Sequence, residues 1–393
     1  MRLIPEPLKH RLVQLRRVLH EYPELSGQEA NTAAVICKFL DGLAITYRNS
    51  VAGHGVVAEI PGQAGVPCVV LRADTDALPI QEETGLEFSS VRDGVMHACG
   101  HDGHTTMLLG AAALLSEEKE LPAPVRLIFQ PSEEKGTGAL AMIEAGALDG
   151  AGMIFGGHLD RHYQPGAIVV AEGPVNASSD NFTIEVIGQG AHGARPHESI
   201  DAVVVGSLMI MALQTIVSRE VDPARPSVVS VGQFHAGTAP NVIAGQAKLE
   251  GTVRAQDPLV RHQLVNSIRR IAESIAQLHG AKIQVAVKAG TPPLVNTADM
   301  VCLAREAAVE TVGEANVLPM KTANMGAEDF SYYMEKIPGA YVRFGGQVAG
   351  KEGFPAHSSR FDFDEEALAV GAAYYKAVAK IAGRKLSDQR PRS

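Results

Sequence analysis

At 393 residues the chain is longer than one hydrophobic core ordinarily supports, so one large domain and one smaller domain are expected. Apolar residues make up 46% and charged residues 20%, which excludes global disorder, and the formal charge of -9 argues against nucleic acid or an anionic membrane as partner, since either needs a basic face. A small molecule is the expected partner.

The N-terminal MRLIPEPLKHR lacks the apolar run of a secretory signal, and a cytoplasmic protein is expected. Residues 8–19 and EANTAAVICKFLDGL (29–43) carry apolar side chains at helical spacing. Short β-type runs follow at GVVAEI (55–60) and PCVVLRAD (67–74), then a helical HTTMLLGAAALLSEE (104–118), a strand VRLIFQP (125–131), a helix near TGALAMIEAGAL (137–148) and a strand MIFGGH (153–158). This alternation predicts an α/β fold, a mixed sheet covered by helices.

After residue 176 the pattern changes. NFTIEVIGQG reads as a strand, a helix follows from residue 200, two strands lie at SVVSVGQFH and AKLEGTVRA, and a helix (259–278) and a strand AKIQVAVKA complete the stretch. The order β-α-β-β-α-β is that of a ferredoxin-like α+β unit, so residues 177–290 are expected to form an inserted satellite or lid domain. Residues 1–176 and 291–393 then make up the larger domain. AVVVGSLMIMALQTIV (202–217), short for a membrane span and flanked by Asp201 and Arg219, reads as a buried helix. The tail from residue 384, RKLSDQRPRS, reads as a frayed, solvated end.

Cys37, Cys68, Cys99 and Cys302 lie far apart without CxxC spacing, which indicates neither a disulfide framework nor a zinc ribbon. Cys99 alone has chemically suggestive neighbours. MHACGHDGH packs His97, Cys99, His101, Asp102 and His104 between a β-type run and a helix, and thiolate and imidazole are good ligands for zinc and related ions. In FQPSEEKGTG, Glu133 and Glu134 follow a strand end, where α/β sheets bind ligands. Adjacent carboxylates usually point apart, so one can hold a metal while the other faces a water. His158 in MIFGGH and His357 in FPAHSSRFD each end or follow a strand-like run and supply further ligands.

These segments, with LRADTDALPIQEETG, GAHGARPH and GAEDFSYY, resemble the metallopeptidase family that includes aminoacylases, hippurate hydrolases, indoleacetyl-amino acid hydrolases and certain carboxypeptidases, over residues 12–378. The resemblance implies two divalent ions per subunit, zinc or manganese with cobalt or nickel also accepted, held by Cys99, His101, Glu134, His158 and His357. It further implies that the Cys99 thiolate lies between the ions, that Glu133 is the general base, and that His192 helps stabilise the oxyanion, often at the partner subunit's site. Asn241 in APNVIAG and Arg254 in GTVRAQ match positions that contact the substrate carboxylate, for which a guanidinium offers a bidentate fork. Many relatives carry His-x-Asp where this chain has Asp74, Thr75 and Asp76, so no ligand is assigned there and both aspartates are expected to orient the site.

The implied activity is hydrolysis of an N-acyl-L-amino acid to a carboxylate and a free amino acid, in a homodimer or higher homo-oligomer assembled through the satellite domain. A carboxypeptidase or dipeptidase would use the same metals and differ in its acyl pocket. With no Trp and 5% aromatics, no stacking platform for an aromatic acyl group stands out. A cysteine hydrolase using Cys99 as nucleophile would leave the Glu pair and the distant histidines without work. A non-catalytic metal-binding protein would be expected to have lost Glu133, which is intact.

Overall fold

In the computed structural model, which describes residues 3–350 and 354–389, two compact units form. The first takes Met1–Gly173, Asn296–Lys321 and Tyr332–Ser393; the second takes Pro174–Val295 and Thr322–Ser331. The second unit therefore includes a short segment beyond the inserted stretch, containing most of the GAEDFSYY motif.

The chain begins with α1 (Glu6–Glu21) and α2 (Ala30–Asp41), followed by β1 (Thr46–Val51), β2 (Gly55–Ile60), β3 (Cys68–Asp74), α3 (His101–Ser116), β4 (Val125–Gln130), α4 (Gly138–Glu144), β5 (Ala151–Asp160) and β6 (Ile168–Val169). It continues through β7 (Gly173–Asn176), β8 (Asp180–Ile187), β9 (Ala191–His192), α5 (Ala202–Thr215), β10 (Ser227–Ala236), β11 (Val242–Ile243), β12 (Gln246–Ala255), α6 (Pro258–Leu278), β13 (Lys282–Lys288) and β14 (Leu294–Asn296). The last elements are α7 (Ala298–Val312), β15 (Val317–Leu318), the single turn α8 (Ser331–Met334), β16 (Gly339–Gly345) and α9 (Glu366–Asp388). Helix α9 carries the chain to Asp388, so the start of the polar tail is helical rather than frayed; residues 390–393 lie outside the described residues.

The first unit is built on a mixed eight-stranded sheet in the order β1-β2-β4-β3-β5-β16-β6-β15. The adjacent strands β4, β3, β5 and β16 run parallel, and every residue of β3 and β16 is buried, so both faces of the sheet are covered there. Helices α3 and α9 pack closely against each other. Gly110 makes that possible, because a Cβ there would come within 2.7 Å of both Ala372 Cβ and Leu12 Cδ1. The edge strand β1, TYRNSV, is largely exposed and lacks the apolar alternation that reveals the others, which is why sequence reading passes over it.

The second unit has the antiparallel sheet β10-β12-β8-β13, with α5 and α6 packed on it, so the order β8-α5-β10-β12-α6-β13 is that of a ferredoxin-like unit. Strand β8 buries alternate residues, as a sheet with one core face requires. Asp201 caps α5 by accepting the N–H groups of Val203 and Val204, and Asp257 caps α6 in the same way through Leu259 and Val260. Strands β9 and β11 form a separate two-stranded ribbon.

Segment 202–217 is not a buried helix. Val205, Met209 and Leu213 face the core, but Val203, Val204 and Leu208 are exposed on α5 and Met211 is 70% exposed. By length and composition alone Ala202–Glu220 would suffice for a membrane span, but three of its turns are anchored in the unit's core.

Candidate metal centre

The candidate ligands gather where the parallel strands of the first unit end, the position at which open α/β sheets hold ligands. Strand β3 ends at Asp74 and leads to Asp76, β4 runs into Ser132–Glu134, and β5 carries His158 near its end. His101 opens α3, directly after Gly100, whose φ of 91° turns the chain into the helix. His357 stands on the loop before α9 and itself adopts a φ of 68°; its N–H donates to the carbonyl of Ala98 at 2.8 Å, which seats it beside the Cys99 segment.

Three sets of donor atoms converge here. Cys99, His101 and His158 offer atoms that all lie within 4.8 Å of one another; the same holds for Cys99, Glu134 and His357, and for His101, Glu133 and Glu134. Cys99 Sγ is 3.3 Å from His158 Nε2, and Glu134 Oε1 is 3.5 Å from His357 Nε2. The two neighbouring carboxylates do not point apart: Glu133 Oε2 and Glu134 Oε1 lie 4.0 and 3.9 Å from the same nitrogen, His101 Nε2. Asp76 causes this convergence, because its two oxygens accept the backbone N–H groups of Glu133 and Glu134, each at 3.0 Å. Ser132, with a φ of 59°, turns the chain before them, and its N–H donates to the buried Glu29.

The hydrogen bonds fix which ring nitrogens face inward. His101 Nδ1 lies 2.8 Å from the backbone oxygen of Asp76, so it carries the proton and presents an Nε2 lone pair. His158 Nδ1 is likewise committed to the Leu159 carbonyl, leaving Nε2 toward Cys99. His104 is spent, since Nδ1 donates to Asp74 at 2.6 Å and Nε2 accepts the Leu159 N–H at 2.9 Å. His97 is buried and belongs to none of the donor sets; burial pushes it down to about 4. Asp74 also accepts from Arg72 at 2.6 Å, so this carboxylate is neutralised from behind.

The centre asks for positive charge. His101 Nε2 and Glu134 Oε1 are buried and make no hydrogen bond among the described residues, while Asp74, Glu133 and Glu134 surround that nitrogen at 3.8 to 4.0 Å. Burial opposes a charge on His101, yet Asp74 and Asp76 raise it well above its ordinary value. Burial holds His158 far down, aided by His104 and Arg343, and so keeps it neutral. Burial also pushes the Cys99 thiol up, and Glu134 adds to this, which is the opposite of what a free cysteine nucleophile needs. Unpaired lone pairs, a thiol and several carboxylates around one point form a donor set that fits divalent cations.

His192, Asn241 and Arg254 belong to the second unit. His192, on β9, is exposed and pairs with Val242 of β11, while Gly193 N–H donates to the Asn241 carbonyl, so His192 and Asn241 share one local ribbon. His192 Nδ1 accepts the Ala194 N–H at 3.0 Å, so in the neutral ring Nε2 carries the proton and is a donor. Arg254 is half-buried on β12, opposite Val228 of β10. Sequence reasoning passes over the polar residues Arg16 and His20, although both share the buried face of α1 with Leu12 and Leu19. Their spacing of four residues among those leucines is the signal that was available.

A model of Peptidase family M20/M25/M40 matches residues 70–381. The chain is 41% identical over 369 residues to the N-acetyl-L-cysteine deacetylase of Bacillus subtilis (strain 168), covering 94% of this chain and 87% of that one. It is 40% identical over 375 residues to thermostable carboxypeptidase 1 of Saccharolobus solfataricus, covering 94% of each. Its fold matches the crystal structure of the Bacillus subtilis YXEP protein, a dinuclear metal binding peptidase from M20 family, with a TM-score of 0.85, 38% identity and coverage of 96% of this chain and 99% of that one.

Proposed function

The chain belongs to Peptidase family M20/M25/M40 and is a hydrolase of amide bonds, and on that premise we propose that it cleaves N-acyl-L-amino acids to a carboxylate and a free amino acid. Two divalent ions are held by Cys99, His101, Glu134, His158 and His357, and Glu133 is the general base. The observation that carries this reading is that Cys99 Sγ belongs to two separate three-residue donor sets at once, one with His101 and His158, the other with Glu134 and His357. A thiolate with two imidazoles favours zinc, and manganese is the second choice.

When bound, such ions polarise an amide carbonyl and lower the pKa of water from about 16 to roughly 7. Glu133, unlike Glu134, is outside both Cys99 sets, and in this reading its carboxylate carries the proton rather than holding an ion. It takes the proton of the attacking water and passes it to the leaving amide nitrogen, so the carbon–nitrogen bond breaks as a neutral amine departs. His192, with Nε2–H as donor, stabilises the developing oxyanion at the site of this or a partner subunit. Asn241 and Arg254 receive the carboxylate of the amino-acid product. The exposed apolar face of α5, with Leu208 and Met211, supports self-association through the second unit.

A carboxypeptidase or dipeptidase activity is the second reading, favoured by the similarity to a carboxypeptidase at nearly the same identity. The test is release of free amino acid from N-acetyl, N-benzoyl and dipeptide substrates by protein stripped with chelator and reloaded with zinc or manganese. Activity should vanish and return with metal, fastest on N-acyl substrates. Faster cleavage of dipeptides would select the second reading, and turnover indifferent to metal would overturn the centre.

A further inference from the structure

Behind the candidate metal centre lies a buried charge cluster whose components come from four separate stretches of the first unit. Arg16, on α1, is fully buried. Its Nε donates to Asp102 Oδ2 at 2.9 Å, its Nη2 to Asp362 Oδ1 at 3.2 Å and its Nη1 to Glu365 Oε1 at 3.4 Å. The guanidinium lies over the rings of Phe363 and Phe88, at 4.3 and 4.8 Å from their centroids. His20, one turn further along α1, reaches the same Asp102 oxygen at 2.9 Å and Glu82 at 3.3 Å.

Burying a guanidinium is costly unless each donor is met, and here the acceptors are not arbitrary. Asp102, in the first turn of α3, is the residue after His101, and Asp362 lies on the same loop as His357. Both segments contribute to the Cys99–Glu134–His357 set: Cys99 lies just before α3 and His357 on the loop before α9. The direct backbone link between them is the His357 N–H to the Ala98 carbonyl. A planar fork of donors suits two fixed carboxylates, which a lysine could not meet together.

We propose that Arg16 is a positioning residue for the metal centre: by gripping Asp102 and Asp362 together it sets the spacing between the Cys99–His101 segment and the His357 loop, and so determines whether the Cys99–Glu134–His357 set closes on an ion. The inference rests on the two-ion reading above. It differs from a purely structural role in predicting an unequal effect, because only the Cys99–Glu134–His357 set takes a donor from the His357 loop, whereas the Cys99–His101–His158 set is drawn from the segment entering α3, the first residue of α3 and β5.

The experiment is titration of the chelator-stripped full chain with zinc, counting ions and affinities for wild type, R16M, R16K and the control R17A, whose side chain is exposed and forms its ion pair with Glu365. Wild type and R17A should bind two ions. R16M should keep one ion at wild-type affinity and bind the other about 10- to 100-fold more weakly, the range for loss of a group that orients ligands, with R16K in between. Wild-type affinity for both ions in R16M, or equal weakening of both, overturns the proposal. If circular dichroism shows that R16M does not fold, D362A, which removes one acceptor only, must weaken one ion selectively; two ions at wild-type affinity there overturn it equally. A wild type that binds fewer than two ions would overturn the two-ion reading itself, and this inference with it.

Discussion

Glu134 Oε1 and His357 Nε2 face each other at 3.5 Å, a carboxylate and an imidazole far apart in the sequence brought together around the Cys99 thiol. Glu133, immediately before Glu134, has no part in that set. The pair should therefore separate under mutation. Glu133→Ala should retain two ions and lose turnover by about 10²- to 10⁴-fold, the usual range for a general base. Glu134→Ala should lose an ion as well as turnover. Metal analysis beside steady-state kinetics reads both, and an ion lost from Glu133→Ala would reverse the assignment.

His192 makes a different prediction because it lies in the second unit and in none of the donor sets. His192→Ala should bind both ions normally and lower kcat by about 10²- to 10³-fold, the cost of one oxyanion donor. An unchanged kcat would remove it from the chemistry.

The cluster behind the centre should show in the acid limb of stability. Burial pushes the Glu82 carboxyl up, but His20, Thr84 and the Ser90 N–H outweigh it and bring the group down to about 2, against about 4.3 in an unfolded chain. A depressed carboxyl contributes stability that is present above the unfolded value and lost as pH falls through the folded one. His20 is raised instead, since Asp102 and Glu82 outweigh burial, so its contribution is full below about 6.5 and declines as pH rises through its folded value. The destabilisation of Glu82→Gln relative to wild type should thus be present at pH 5 to 6 and shrink between about pH 4.3 and 2. Thermal melts across that interval test it; a constant difference would contradict it.

The apolar outer face of α5 predicts an assembly. Leu208→Asp with Met211→Asp should leave the second unit folded, since both side chains are exposed, and should halve the mass measured by light scattering. A wild type that is monomeric and fully active would remove the basis for this expectation.

The central strands were legible in the sequence because β3, β4 and β5 are short apolar runs ended by turn residues, and the second unit because its strands and helices follow one another in a recognisable order. The side chains that gather at the candidate centre are recognisable in the sequence by residue type: a thiol, imidazoles and carboxylates near Gly-containing turns. What was not legible depended on pairings between distant residues. Apolar periodicity finds α5 but cannot tell a core face from an exposed one, so it groups the exposed Met211 with the buried Met209. The convergence of Glu133 and Glu134 required Asp76, and the burial of Arg16 required Asp102 and Asp362, contacts that local pattern does not encode.

Strand β16 lies between β5 and β6 in the sheet, yet it is made only after the entire second unit. On the ribosome, β8 through β13 can complete their own sheet while β5 waits with an open, apolar edge for a partner still to be translated. His357 follows β16 later still. Chains that end before β16 would keep that edge open and lack His357, one of the proposed metal donors, so exposure of the β5 edge during synthesis is the hazard that this strand order carries.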